Sequence, residues 1–465
     1  MKHLLVGGAG AVGVTYALAL HRAGHSVGIY VRPKRHADYH AAAKAKIEGS
    51  KNSGNIVTDT QPVLTAYDVT PRAKTHILLV LAVGAAASLA AFVPLGFFSL
   101  LSLFLCPVAF LAAAYFAAPH TRAFAPTPVA TAIPLACVAC TPAEVAAYAP
   151  DVIWICLASD ELRSPMFQTE LRALLLEVPN NKVICLSPGV GDAVSVRALL
   201  AANGQSSDSD ANSAADSAPT SSSSASDDNR VAAGTLPIIS YQVPLAEERF
   251  PCCPALPADF YDVASKSLSA GYAAVPIGAP VAIFFPPLAA MAITALDPQD
   301  PGFAAAAAAT TRGGLPAAVA RATPTSAVAG VFVSTLFTAT IAATRAAGWR
   351  SAAAFADGQT RALCAEAAQQ GVAVNALRAV PGETREAALA KGVRARYAAL
   401  VALGAFGFLA PLVMPFDFEA YFKYHFSKVW KQTENNVALI VDGGKKFGLP
   451  TDKVEKLFTL ATKND

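Results

Sequence analysis

The chain opens with a glycine-rich turn set between two apolar runs. The first run ends at Val6, the turn has the sequence Gly8-Ala9-Gly10-Ala11-Val12-Gly13, and a helical stretch separates it from a second run that ends near Tyr30. In a strand–turn–helix–strand unit of this kind, the first glycine permits the tight turn, the second lets a pyrophosphate approach the backbone, and the third lets the helix pack closely on the sheet. The helix N-terminus adds N–H groups and a positive dipole end. The pattern predicts a parallel α/β sheet that binds a dinucleotide through Gly8, Ala9, Gly10, Ala11, Val12 and Gly13.

The residues after the second apolar run distinguish between the two nicotinamide dinucleotides. NAD-binding folds place Asp or Glu near this point to accept from the ribose 2′-hydroxyl. Here the run continues into Arg32-Pro33-Lys34-Arg35, and the first acid is Asp38. A guanidinium binds a 2′-phosphate, which a carboxylate would repel. We therefore expect NADP(H), with Arg32 as the main contact and Lys34 or Arg35 assisting, and a solvated basic turn is the alternative.

Composition excludes one class of partner and points to an unusual segment. A net charge of +3 and the lack of a basic tract with interleaved aromatics indicate no nucleic-acid partner. Hydrophobic residues make up 54% and charged residues 15%, which is apolar for a soluble enzyme. Residues 75–119 contain no Asp, Glu, Lys or Arg and divide into two runs, each near the roughly 20 residues of a bilayer span. The segment predicts a membrane-inserted helical hairpin on a cytoplasmic protein. The alternatives are a buried pair of helices in a soluble cytoplasmic protein and a segment that is not part of the working protein.

Residues 203–232 have a different bias. The stretch is dominated by Ser, Ala and Asp, so it cannot bury enough apolar surface to offset the entropy of ordering it. We predict a disordered loop there.

The cysteines offer one spacing of interest. Cys137-Val-Ala-Cys140 has the spacing of redox and zinc motifs, but no second CxxC or His pair accompanies it in the neighbouring sequence. The two cysteines are interpreted as buried small residues of a reducing compartment, and no metal site is assigned.

The alternation of strands and helices continues beyond the first unit. Strands are predicted at Asp151–Leu157 and Lys182–Leu186, with a helix at Asp160–Leu175 between them. Ligands of open α/β sheets lie at the carboxyl ends of the strands. The turns at Ser159 and Pro188 are therefore expected near the cofactor, unless they are turns only.

Beyond about residue 320 the pattern changes to helices. Residues 1–320 are predicted to form a Rossmann-type, doubly wound domain and residues 321–465 a helical C-terminal domain, with these predicted helices: Ser326–Ala347, Arg350–Gln370, Thr384–Leu403 and Phe418–Phe447.

The sequence resembles the ketopantoate (2-dehydropantoate) reductases. The resemblance rests on GGAGAVGVTYALALHRAGHSVGIYVRP, CLSPG and KKFGLPTDKVEKL. It implies a Rossmann domain and a helical domain with substrate between them, and hydride transfer from NADPH to the ketone of a 2-keto acid. Gly8, Gly10, Gly13 and Arg32 match the family's cofactor positions. Three positions depart from the family: Pro188 stands where an Asn is usual, Ala158 where a Lys is usual, and residues 326–347 lack the expected catalytic Lys.

A polar stripe near the C-terminus offers a replacement. His425, Lys428, Gln432 and Asn436 follow one another at spacings of three, four and four, which places them on one face of a helix. Lys428 and His425 are predicted as catalytic groups that donate a proton, and Gln432 and Asn436 as substrate contacts. A solvated helix face is the alternative.

The sequence thus predicts an NADPH-dependent reductase of a small 2-keto acid, with the oligomeric state open. Two alternatives remain: a dehydrogenase that acts on another carbonyl or imine, and a non-catalytic NADP(H)-binding sensor or scaffold associated with a membrane.

Overall fold

A computed structural model describes the following residues: 1–33, 35–41, 62–68, 129–157, 159–186, 192–201, 229–235, 239–242, 281–284, 290–379, 382–405, 407, 418–428 and 430–463. The predicted hairpin at 75–119 and most of the predicted loop at 203–232 lie outside them. Of the helices within these ranges, none combines the length and apolar character needed to cross a membrane.

The strands are β1 (Lys2–Val6), β2 (Ser26–Tyr30), β3 (Val63–Asp68), β4 (Val129–Pro134), β5 (Cys137–Ala139), β6 (Val152–Ile155), β7 (Lys182–Cys185), β8 (Val231–Gly234), β9 (Ile239–Gln242), β10 (Val281–Phe284), β11 (Met291–Ala295) and β12 (Ala317–Arg321). The helices are α1 (Ala11–Arg22), α2 (Pro142–Tyr148), α3 (Ser159–Leu162), α4 (Pro165–Glu177), α5 (Asp192–Ala201), α6 (Pro301–Arg312), α7 (Pro324–Ala346), α8 (Ser351–Ala356), α9 (Gly358–Ala379), α10 (Arg385–Gly404), α11 (Phe418–Lys428), α12 (Trp430–Phe447) and α13 (Asp452–Thr462).

The larger sheet confirms the predicted parallel α/β architecture. Among the described residues it has eight strands in the order β12-β11-β8-β7-β6-β1-β2-β5. Neighbouring strands are parallel except β8 and β11, which are antiparallel. The carboxyl ends of β1, β2, β5, β6 and β7 therefore meet at one edge of the sheet, which is where a ligand is expected.

A second sheet covers the first helix. Strands β4, β3, β10 and β9 form it in that order, and α1 contacts all four as well as β1 and β2 of the larger sheet. Residues Gly13 to Leu20 are consequently buried without interruption. A helix covered on all sides must be apolar on all sides, which explains the Ala/Leu-rich sequence of α1.

Helices alone follow β12 in the described part of the chain. They pack around a shared apolar core, and α9 contacts α7, α10, α12 and α13. The predicted helical C-terminal region is confirmed. The boundary at 320/321 stays a prediction, and the last strand ends at Arg321.

Two predicted helices are wrong in their continuity. The helix expected at Asp160–Leu175 is divided into α3 and α4, because Pro165 starts a new helix whose N-cap is Ser164. The helix expected at Arg350–Gln370 is divided into α8 and α9 at Asp357, whose backbone is extended and whose carboxylate accepts from the N–H groups of Gln359 and Thr360.

The predicted disordered loop is also wrong at its end. Residues 231–232 belong to β8, where Val231 is fully buried and pairs with Val183 of β7. The residues before 229 are polar, but β8 lies between β7 and β11 in the larger sheet.

Candidate functional site

The glycine turn lies at the carboxyl end of β1. Gly13 packs so closely on the turn that a Cβ added there would lie 2.3 Å from the Cα of Gly8. A Cβ on Gly8 would lie 2.7 Å from Cγ2 of Ile29. The residue with a positive φ is Gly7, at 74°, so the left-handed step of the turn comes one residue before the predicted motif.

Gly10 has a different environment from the other two glycines. It is the N-cap of α1, and no side chain caps the helix. The nearest atom to a Cβ built on Gly10 is the carbonyl oxygen of Gly7, at 3.4 Å. The first N–H groups of a helix have no intrahelical acceptor. The N-terminus of α1, with half-buried Ala9, Ala11 and Val12 beside Gly10, is thus without a side-chain cap, as in helix N-termini that bind anions.

Arg32 lies at the end of β2, on the same edge of the sheet as the glycine turn. Its side chain is 73% exposed and forms an ion pair with Glu161 of α3. Lys34 and Pro188 are outside the described residues. Ser159 begins α3 immediately beyond β6, but the structure does not describe its side chain.

An ion pair that the sequence analysis missed joins the segments that follow β6 and β7. Nε and Nη2 of Arg163 donate to Oδ1 of Asp192 at 3.0 and 2.8 Å. Asp192 is 1% exposed and starts α5, where a carboxylate also complements the helix dipole. The pair fixes the start of α5 relative to α3 at the ligand-binding edge.

The cysteine pair beside β5 consists of free thiols. Burial raises the pKa of both Cys137 and Cys140, and the negative charge of Glu144 raises it further. A thiol that stays protonated at neutral pH is a poor nucleophile, so this geometry does not favour disulfide exchange at Cys137 and Cys140.

The cation of α7 is not available for catalysis. Arg345 is the only Lys or Arg in that helix, and it is 7% exposed. Its Nε donates to the carbonyl oxygen of Ala461 at 3.1 Å, and its guanidinium lies 3.8 Å from the ring centre of Trp430. Arg345 therefore stabilises the helical core and does not replace the missing catalytic Lys.

The predicted polar stripe is distributed over two helices. His425 and Lys428 lie on α11, Gln432 and Asn436 on α12, and residue 429 between them is outside the described residues. His425 is half-buried, with its ring edge-on to that of Phe426. The structure does not describe the side chain of Lys428.

Asn436 lines a polar cleft between α7, α9 and α12. The cleft encloses no room for a water molecule, and its lining residues are Ser334, Thr335, Thr338, Asn375, Arg378, Asn436, Leu439 and Ile440. Asn375 is 5% exposed and donates through Nδ2 to Oγ1 of Thr335 at 2.9 Å, whereas its buried Oδ1 accepts no hydrogen bond. Gln432 is half-buried and is not among the residues that line this cleft.

Comparison with known proteins confirms the resemblance for the first part of the chain. Residues 4–95 match the model of the ketopantoate reductase family PanE/ApbA. A search of curated proteins found no match. Similar solved structures include a 2-dehydropantoate 2-reductase from Geobacter metallireducens, with 12% identity, coverage of 100% of both chains and a TM-score of 0.48. A putative ketopantoate reductase from Ralstonia solanacearum has 14% identity, coverage of 99% of this chain and 97% of that one, and a TM-score of 0.47. D-mandelate dehydrogenase with NADH and anilino(oxo)acetate has 12% identity, coverage of 100% and 98%, and a TM-score of 0.49.

Proposed function

We propose that the chain is an NADPH-dependent reductase of a small 2-keto acid, similar to the ketopantoate reductases. The observation that carries the proposal is the glycine turn: Gly13 packed on Gly8, and an uncapped helix N-terminus at Gly10, at the carboxyl end of a parallel strand. The family match over residues 4–95 covers this turn and Arg32.

The residues at this edge fit an NADP(H) molecule. The N–H groups at the start of α1 suit the pyrophosphate, and the exposed guanidinium of Arg32 suits the 2′-phosphate. Glu161 does not prevent this role, because a surface ion pair is worth only about 0–1 kcal/mol and can be exchanged for a phosphate. When bound, the cofactor supplies the hydride for the carbonyl carbon.

The polar cleft between α7, α9 and α12, which has to widen to admit a ligand, is the proposed substrate site. The guanidinium of Arg378 suits the carboxylate of a keto acid, and Asn436 can donate to its oxygens. Helix α12, which carries Asn436, also contacts α3 at the carboxyl end of β6. His425 is not among the residues that line this cleft. His425 and Lys428 on α11 remain proposed as proton donors to the carbonyl oxygen as charge develops there.

The test is NADPH oxidation with a panel of 2-keto acids, together with Arg32→Ala. We expect the substitution to weaken NADPH binding at least about tenfold, as the loss of a bidentate phosphate contact implies, and to leave NADH binding unchanged. Arg22→Ala, which removes an exposed arginine from the other end of α1, is the matched control and should change neither affinity. Equal losses for NADPH and NADH would contradict the assignment of Arg32.

One observation favours a second candidate, a non-catalytic NADP(H)-binding protein. Helix α7 has no Lys, and its Arg345 is held in the core. Tight NADPH binding without turnover of any keto acid would support this candidate. Turnover of an aldehyde or imine, but of no keto acid, would instead indicate a different dehydrogenase.

A further inference from the structure

Metal-ligating side chains lie together beside the carboxyl ends of β2 and β5. One donor atom each from His36, Cys140 and Glu144 fall within 4.8 Å of one another. Nε2 of His36 is 3.7 Å from Oε1 of Glu144 and 3.3 Å from Nε2 of His40. These residues have no role in the proposed hydride transfer.

The topology explains why residues so far apart in sequence meet. Strands β2 and β5 are parallel neighbours, so the segments that follow them leave the sheet at the same edge. Residues 35–41 after β2 are helical, which places His36 and His40 on one face at a spacing of four. Cys140 directly follows β5, and Glu144 lies in the first turn of α2.

Glu144 is oriented by its own helix. Its Oε2 accepts from the backbone N–H groups of Cys140 and Thr141 at 2.8 and 3.0 Å, and the hydroxyl of Thr141 accepts from the N–H of Glu144. This capping box uses one carboxylate oxygen and leaves Oε1 facing His36. The backbone thus orients the carboxylate toward the imidazole pair.

We propose that His36, Cys140 and Glu144 form a Zn²⁺ site, with the fourth position taken by water or by His40, which contacts His36 but is not part of the three-residue cluster. An imidazole nitrogen, a thiolate and a carboxylate oxygen are ligands that zinc accepts in tetrahedral sites, whereas Mg²⁺ and Ca²⁺ require oxygen donors. With Zn–ligand bonds of about 2.0–2.3 Å, neighbouring donors lie about 3.3–3.8 Å apart. The distance of 3.7 Å from Nε2 of His36 to Oε1 of Glu144 is within this range, and Sγ of Cys140 needs a shift of at most about 1 Å to reach it. Binding releases the thiol proton of Cys140 to solvent, because the ligand is the thiolate.

The experiment uses the full, untagged chain after treatment with a chelator. Titration with Zn²⁺ in a calorimeter should give one equivalent bound per chain. Co²⁺ in place of Zn²⁺ should give the visible bands of a tetrahedral site and a near-ultraviolet thiolate-to-cobalt band. Both measurements use the parent chain, so they test the proposal even if a variant fails to fold.

Three variants each remove one ligand: His36→Gln, Cys140→Ser and Glu144→Gln. Loss of an outer-shell partner already costs about 10–100-fold in metal affinity, so each variant should weaken Zn²⁺ binding by at least about tenfold. Glu144→Gln can retain the capping box, and Cys140→Ser should abolish the thiolate band.

Cys137→Ser is the matched control, because Cys137 is in the same segment but outside the cluster, and it should bind Zn²⁺ like the parent. No Zn²⁺ bound by the parent chain, or equal affinity in Cys140→Ser and Cys137→Ser, would overturn the site. NADPH affinity, measured alongside, is a separate readout that bears on the proposed function alone.

Discussion

Gly10 and Gly13 lack side chains for different reasons, and the difference can be measured. A Cβ at position 13 would collide with the backbone of Gly8, which cannot move without opening the turn. We expect Gly13→Ala to lower the free energy of unfolding by about 1–3 kcal/mol, the usual cost of overpacking, and to weaken NADPH binding as well. Urea denaturation and a fluorescence titration with NADPH measure the two effects.

Gly10→Ala is the matched change. Its Cβ would meet only the carbonyl oxygen of Gly7 at 3.4 Å, so the fold should tolerate it at a cost below about 1 kcal/mol, as at other N-caps. The methyl group would nevertheless occupy the surface that we assign to the pyrophosphate, and NADPH affinity should fall. Parent-like NADPH affinity in Gly10→Ala would show that the cofactor does not cross this residue.

Single residues were predictable where their role is local. The spacing of Gly8, Gly10 and Gly13 follows from one turn and one helix, and the structure confirms the close packing of the third. Gly7 was missed because a positive φ leaves no pattern in a run of glycines. The role of Arg345 was not predictable, since its partners Trp430 and Ala461 are remote in sequence.

Arg230 connects β8 of the larger sheet to helix α4. It is 5% exposed and donates to the carbonyl oxygens of Leu175, Val178 and Asn181 and to Oδ1 of Asn181. It thereby binds the C-terminus of α4 to the start of β8. Arg230→Met keeps the length of the side chain but leaves these acceptors without their donors. We expect a loss of about 2–4 kcal/mol in the free energy of unfolding, measured by urea denaturation.

Arg197→Met is the control for this change. Arg197 is half-buried on α5, and its Nε and Nη2 donate to the carbonyl oxygen of Val231. Its replacement should cost about 1 kcal/mol, the usual net contribution of a hydrogen bond, because the bond to Val231 is only part-buried. Equal losses for the two variants would mean that burial of Arg230 contributes nothing.

Elements were predictable where apolar periodicity was strong. The buried strands β6 and β7 and the long helix α7 lie close to their predicted positions. The sequence analysis missed β11, α6 and β12, because Met-Ala-Ile-Thr-Ala and a run of alanines carry little contrast between buried and exposed positions. The breaks before α4 and α9 depend on caps, Ser164 and Asp357, which a periodic pattern does not reveal.

At the scale of the whole molecule, sequence patterns do not reveal contacts between distant segments. The zinc ligands proposed above come from the ends of two strands, and the polar cleft takes its residues from three helices. Neither the proposed zinc ligands nor the residues that line the cleft follow one fixed spacing in the sequence. The family match includes residues 75–95, the first half of the predicted membrane hairpin, which lies outside the described residues. Insertion of 75–119 into a membrane stays a prediction.

The last prediction concerns how the two parts of the chain cooperate. If the cleft at Asn436 binds the keto acid while the glycine turn binds NADPH, then Asn436→Ala should change one ligand and not the other. Loss of a hydrogen bond to a carboxylate costs about 1.5–3 kcal/mol, which lowers kcat/KM for the keto acid about 10–100-fold. Affinity for NADPH should be unchanged.

Asn435→Ala is the matched control, because Asn435 is the neighbouring half-buried amide on α12 and does not line the cleft. Calorimetric binding of the keto acid to the NADPH complex replaces kinetics if turnover is slow. Similar kcat/KM values for the two variants would place the substrate elsewhere, and a loss of NADPH affinity in Asn436→Ala would show that this cleft belongs to the cofactor.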